Sequence, residues 1–267
     1  MTSVRPAAVA GTFYPGTAKE LGETVIGLLN NSGTDLDMPV PKAIVAPHAG
    51  YVYSGSMAAK AYARLIPARG QISRVVLLGP CHRVAIRGLA LSSAEVFTTP
   101  LGNVRIDKDA CEAIEALPQV DIIDATHKDE HSLEVHLPFL QQVLGDFLLV
   151  PLVVGDCGNE HIAEVLDMLW GGPETLIVIS TDLTHFLDYD TARQIDARTC
   201  EAIENMETGA IEREQACGRI PLKGFLTLAK RRGMNVETLG VNNSGDTAGS
   251  KDRVVGYGSW AIHEGDS

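Results

Sequence analysis

Three histidines stand where runs of strand-forming apolar residues end, in the segments AIVAP-His48, VVLLGPC-His82 and LIVISTDLT-His185. Each run reads as a buried strand, and each is followed by a turn or helix-start signal. In a mostly parallel α/β sheet, ligands bind in the crevice at the carboxyl ends of the strands. Three imidazoles delivered to one sheet edge therefore outline a metal or proton-transfer site. Asp182 lies three residues before His185. In a turn it can accept the ring N–H, fix the tautomer and raise the basicity of the imidazole. Its plainer role is a helix N-cap.

Two further segments carry candidate groups. The loop NNSGDTAG sits between two apolar stretches, and Asp246 is its carboxylate. Two histidines and one carboxylate form the facial ligand set of non-haem Fe(II) sites, which leaves positions open for substrate and dioxygen. His48, His82 and Asp246 compose such a set, with His185 as a third imidazole ligand or as the acid/base. Taken alone, Asp246 in Ser-Gly-Asp reads as a turn residue. The segment EHSLEVH supplies Glu130, His131, Glu134 and His136. Five residues apart on a helix, His131 and His136 diverge by about 140° and cannot share one metal face, so the zincin motif is excluded. Polarity of a helix surface accounts for most of this cluster. His136 is kept as a catalytic candidate beside His185 and Asp182. Cys81, next to His82, reads as buried packing on the opposite side of an extended segment.

The elements that must position these groups follow from the pattern of apolar residues. Strands are expected at 43–47, 74–79, 86–91, 147–154, 175–180, 234–241 and 253–263. Helices are expected after Thr17, which forms a capping-box pattern with Glu20, and at 56–66, 107–117, 133–144, 160–170, 190–205 and 207–216. A last helix begins near Pro221 and stops at Gly233. Pro138 inside the 133–144 segment predicts a kink or a late start. The alternation of strands and helices predicts a single domain over residues 1–267: an α/β sandwich with a central, mostly parallel or mixed sheet flanked by helices.

Composition narrows the function. The 267 residues carry 22 Lys and Arg against 34 Asp and Glu, a formal net charge of −12, so nucleic acid is not an expected partner. The longest apolar run, residues 147–154, is far short of the roughly 20 residues a bilayer span needs, so no membrane partner is expected. The five cysteines show no C-x-x-C spacing and are read as free thiols of a cytoplasmic protein. No glycine-rich phosphate loop is present in the sequence.

The segments RPAAVAGTFYP, APHAGYVYSG, LLGPCHR, EHSLEVHLPFL, STDLTH and NNSGD…VVGYG, in that order, resemble the Memo family, whose bacterial and archaeal members are often called AmmeMemoRadiSam system protein B. The resemblance covers nearly the whole chain. It implies a fold like that of the class III extradiol dioxygenases, non-haem iron enzymes that cleave catechol rings. It also implies a pocket around His48, His82 and His185 that binds iron or copper for redox chemistry on a small molecule. AMMECR-type and radical-SAM proteins are the partners it implies. Animal members carry a cysteine as a further metal ligand in the late loop, where an ungapped reading of this chain places Thr247 next to Asp246. A carboxylate is a good Fe(II) ligand and threonine a poor one for softer metals. The expected cofactor is Fe(II), with copper or zinc as alternatives. Three readings stay open: a dioxygenase-type oxidoreductase, a non-enzymatic metal-binding or scaffold protein working with those partners, and a zinc-dependent hydrolase.

Overall fold

A computed structural model describes residues 2–265. Its strands are β1 (Val4–Arg5), β2 (Ala43–Ala46), β3 (Arg74–Pro80), β4 (Leu89–Leu91), β5 (Val96–Thr99), β6 (Gly102–Ile106), β7 (Val120–Ile122), β8 (Leu148–Val154), β9 (Thr175–Ser180), β10 (His185–Leu187), β11 (Asn235–Asn243) and β12 (Val254–His263). Its helices are α1 (Ala18–Asn30), α2 (Tyr51–Ala63), α3 (Lys108–Glu115), α4 (Asp124–Lys128), α5 (Leu137–Leu144), α6 (Asn159–Met168), α7 (Tyr189–Glu204) and α8 (Arg219–Arg231).

All the strands join one mixed sheet whose main path runs β1-β5-β6-β8-β3-β9-β2-β12. Its centre, β6-β8-β3-β9-β2, is parallel throughout. Strands β8, β3, β9 and β2 are apolar at nearly every position because both faces are covered. Alternation sorts the side chains. Val45, Val76, Leu78, Ile177 and Ile179 pack with α6, α7 and α8 on one face. Ile44, Val75, Leu77, Leu176 and Val178 pack with α1, α2 and α5 on the other. The result is the α/β sandwich expected from the sequence. Among the described residues no helix is long and apolar enough to cross a membrane.

The site depends on three neighbouring parallel strands. Ala46 of β2 pairs with Ser180 of β9, and Ile179 of β9 pairs with Leu78 of β3. The three strands therefore end side by side, and the residues two places beyond their ends are His48, Asp182 and His82.

Several boundaries differ from expectation. The helix expected at 56–66 begins earlier, at Tyr51, because Phe13 O accepts the Tyr51 N–H and Gly50 serves as N-cap. The helix expected at 207–216 is only a 3₁₀ turn, Thr208–Ala210. Met206 reverses the chain at φ 51°, and Ile211 turns extended to bury its side chain. The strand expected at 86–91 is confined to Leu89–Leu91. The late start expected before Pro138 is present: a 3₁₀ turn, Glu134–His136, precedes α5. The pair β5–β6 had no clear sequence signal, since the turn between its strands is only Pro100-Leu101.

Candidate metal centre

The imidazoles of His48, His82 and His131 converge at the carboxyl ends of β2 and β3. One ring nitrogen from each lies within 4.8 Å of the others, a spacing that one metal ion can bridge. The ring centroids of His48 and His82 are 5.2 Å apart, those of His48 and His131 5.4 Å, and those of His82 and His131 4.7 Å. His48 is buried, His131 half-buried and His82 exposed, so the site opens on the His82 side.

Hydrogen bonds fix which nitrogens face the centre. Ser180 Oγ donates to Ser132 O at 2.6 Å. Its lone pair then accepts from His48 Nδ1–H, also at 2.6 Å, which leaves His48 Nε2 as a bare acceptor. His82 Nδ1 lies 2.8 Å from Glu130 Oε1 and must carry the proton, leaving its Nε2 free. Glu130 also accepts the backbone N–H groups of His82, His131 and Ser132. Burial works against its charge, but the hydrogen bonds from His131 and His82 hold the carboxyl well below the usual range. A carboxylate behind a ligating imidazole fixes the ring and raises its basicity. His131 Nδ1 is buried and lies 3.2 Å from Glu130 Oε1. Burial lowers the His48 pKa well below 6.5, and the neighbouring His82 and His131 lower it further. The ring is held in the neutral form that a metal needs.

Close approach makes this assembly possible. A Cβ on Gly79 would stand 2.8 Å from Leu133 and 2.9 Å from Ser132 Oγ. The missing side chain lets the 130–133 segment lie against the end of β3 and carry Glu130 and His131 to His82. Ser132 Oγ then donates to Pro80 O at 2.8 Å.

The other residues singled out from sequence lie around this group. Asp182 Oδ1 accepts the His48 backbone N–H at 2.8 Å, and Oδ2 stands 3.9 Å from His48 Nε2. Burial raises the Asp182 pKa, against the opposing effects of His185 and the His48 N–H. His185 starts the short strand β10 outside the group of three. Its Nδ1 donates to Leu183 O at 2.8 Å, which leaves Nε2 as an acceptor. His136 sits one layer back, where Nδ1 shares a 2.7 Å hydrogen bond with Tyr62 OH and Nε2 is buried without a partner. Asp246 is not brought to the histidines. It closes a 3₁₀ turn through Asn243 N, accepts from Tyr189 OH at 2.6 Å, and lines a cavity of about 500 Å³ between α7 and β11. Thr247 Oγ1 is turned onto Ser244 O.

The segment 130–136 is therefore not the polar face of a surface helix. Glu130, Ser132, Glu134 and His136 are each at most 2% exposed. His131 precedes the helical turn, so angular spacing along a helix does not govern it. Its signal in the sequence is the alternation SLEVHLPFL, too apolar on both sides for a solvent face. Cys217 contacts His48 and had no signal in spacing or motif.

A family model described as "Memo-like protein" matches residues 5–261. A MEMO1 family protein of Aquifex aeolicus is 35% identical, with 95% of this chain and 97% of that protein covered. One from Methanobrevibacter smithii is 33% identical, with 96% and 98% covered. Among solved structures, an uncharacterized protein, JW3007, from Escherichia coli K12 has a similar fold, with a TM-score of 0.50 at 12% identity over 82% of this chain and 99% of that one. The six sequence segments, the histidines they carry to one sheet edge and the full-length likeness to these relatives lead to one assignment: the chain belongs to the Memo family.

Proposed function

We propose that the protein is a non-haem metal protein of redox type, with Fe(II) held by His48, His82 and His131 and a small-molecule substrate admitted on the His82 side. The observation that carries this reading is the convergence of three ring nitrogens within 4.8 Å, two of them freed by hydrogen bonds at the far side of the ring. Asp182 takes the place expected of Asp246 as the carboxylate beside the centre. When bound, the metal supplies open coordination positions at which an oxidant and a substrate meet. His185, with Nε2 free and Nδ1 anchored, accepts or returns the substrate proton. Asp182 orients the His48 backbone, and Glu130 orients His82.

A second reading is favoured by the ligand set itself. Three imidazoles without a bound carboxylate form the set of a hydrolytic zinc site, whose fourth position holds water. Metal content of protein purified without oxygen separates the two. Near-stoichiometric iron that disappears in His82→Ala supports the redox reading, and oxygen consumption with candidate substrates then follows. Stoichiometric zinc moves the assignment to hydrolysis. A protein that takes up neither metal, even after anaerobic Fe(II) addition, refutes both.

A further inference from the structure

We propose that the cavity between α7 and β11 binds an aliphatic polyamine, with one ammonium group on the buried Asp196 and another near Glu204. The site lies apart from the histidine cluster, and the proposal does not rest on a metal there. The cavity holds about 500 Å³, within the range of small-molecule sites. Its α7 wall is a single stripe, since Arg193, Asp196, Ala197, Cys200, Glu201 and Glu204 recur three or four residues apart. A helix that closes onto a sheet turns large apolar side chains to it. Here the small residues Ala197 and Cys200 stand between carboxylates, and the two elements do not close over this stretch.

The chemistry of the lining selects a cation. Asp196 is 2% exposed, and its Oδ1 accepts the Thr184 N–H at 3.1 Å. A Cβ on Gly256 would stand 2.1 Å from Oδ2, so the glycine admits the carboxylate beside β12. Among the described residues no Lys or Arg pairs with Asp196. A buried carboxylate without a counter-charge is costly, and a bound ammonium group supplies that charge. On the β11 wall, Asn242 Oδ1 is buried and takes no hydrogen bond, so it too calls for a donor. Glu201, Glu204 and Asp246 complete the acidic lining, against the guanidinium of Arg193, which lies over the Tyr189 ring at 5.6 Å. A bare metal ion does not suit these groups. Among the described residues no three of them bring ligand atoms within 4.8 Å of one another, as His48, His82 and His131 do. The charges are instead spread along the helix. Asp196 and Glu204 are eight residues apart, about 12 Å of helix axis. Ala197 and Cys200 lie between them, with Val241 on the facing strand, and offer apolar surface to methylene groups. A chain of ammonium groups joined by methylene spacers has the same pattern.

Spermidine is the probe, titrated calorimetrically into the full chain at about 0.15 M salt, where exposed charges more than roughly 8 Å apart are screened. One equivalent is expected to bind. Asp196→Asn should weaken binding about tenfold, because a charge-assisted hydrogen bond in a buried site is lost. Glu204→Gln, at an exposed position, should have a smaller effect. Ala197→Phe, exposed on the same stripe, should abolish binding by filling the cavity without changing any charge. Glu160→Gln, whose carboxylate pairs with Arg231 on the outer surface, should bind as the wild type does. Absence of binding in the wild type would overturn the proposal. So would uptake of several equivalents that Ala197→Phe leaves unchanged, which marks diffuse attraction to a chain of net charge −12. Displacement by Mg²⁺ at matched ionic strength would mark an ion site and overturn it as well. If Asp196→Asn fails to fold, Ala197→Phe decides the matter. No metal is needed in the spermidine titration, so its result stands whatever the histidine cluster binds.

Discussion

At the scale of single residues, the site is governed by what stands behind each imidazole. Ser180 and Glu130 decide which nitrogens of His48 and His82 are free, so under the proposed function both would shape metal affinity without touching the metal. Glu130→Gln removes the charge and keeps the shape, and metal affinity should fall about 10–100-fold in a competition titration against a chelator. Asp246→Asn should leave affinity unchanged, because that carboxylate is spent on Tyr189 OH and Asn243 N. A large loss in the asparagine variant would return Asp246 to the ligand set. His48 and His82 were legible in the sequence because each follows a continuous apolar run that could only be a buried strand. His131 was not, because its distance from His136 was read through helical geometry that the segment does not adopt. Cys217 could not have been found from spacing. Its contact with His48 joins residues 169 positions apart through a turn whose shape no local pattern encodes.

At the scale of elements, the site segment is clamped by the chain's own beginning. Glu134 is buried and accepts from the Ala8 N–H, the Val9 N–H and Tyr14 OH, and it is paired with Arg5. Arg5 also donates to His127 O at 2.9 Å and to Glu130 O at 2.7 Å. Strand β1 and the loop after it thus tie down the stretch that carries Glu130 and His131, and Phe13 packs on the His131 ring with centroids 4.7 Å apart. Removing one partner of a buried ion pair leaves an uncompensated charge, at a cost of about 3–5 kcal/mol. Glu134→Gln should therefore lower the melting temperature, open residues 6–16 to limited proteolysis and weaken metal binding together. Proteolysis without loss of metal affinity would show that the clamp and the centre are independent. The extended character of this beginning was readable from Pro6, Gly11, Pro15 and Gly16, but its partner was not. The glutamate that receives it lies 129 residues from Arg5, in a polar cluster that carries no mark of burial in the sequence. The parallel core was legible for the opposite reason: strands covered on both faces must be apolar throughout, whereas β5, β6 and β7 are short, partly exposed and carry no such mark.

At the scale of the whole molecule, the fold buries ionisable groups in states that oppose one another as the pH falls. Burial pushes His127 down to about 4 and His136 down to about 3, against about 6.5 in an unfolded chain. A base with a depressed pKa binds fewer protons folded than unfolded. Its contribution is therefore complete above about pH 6.5 and is lost as the pH falls toward the folded value. Each such histidine adds a slope of about 1.4 kcal/mol per pH unit in that window. Asp196 runs the other way. Burial pushes its carboxyl up to about 6, so below that pH the folded protein takes a proton that the unfolded chain does not, and the slope of one histidine is offset. The wild-type curve alone is therefore a sum of opposing slopes, and a difference between two proteins is the cleaner measurement. His136→Gln keeps an acceptor for Tyr62 OH and removes one titrating base. Urea unfolding from pH 7.5 to 4.5 should show the wild type losing about 1.4 kcal/mol per pH unit more than the variant below about pH 6.5, with the two curves parallel above it. Parallel curves throughout would mean that His136 is not held neutral, and that the layer behind the histidine cluster opens to water well before the protein unfolds.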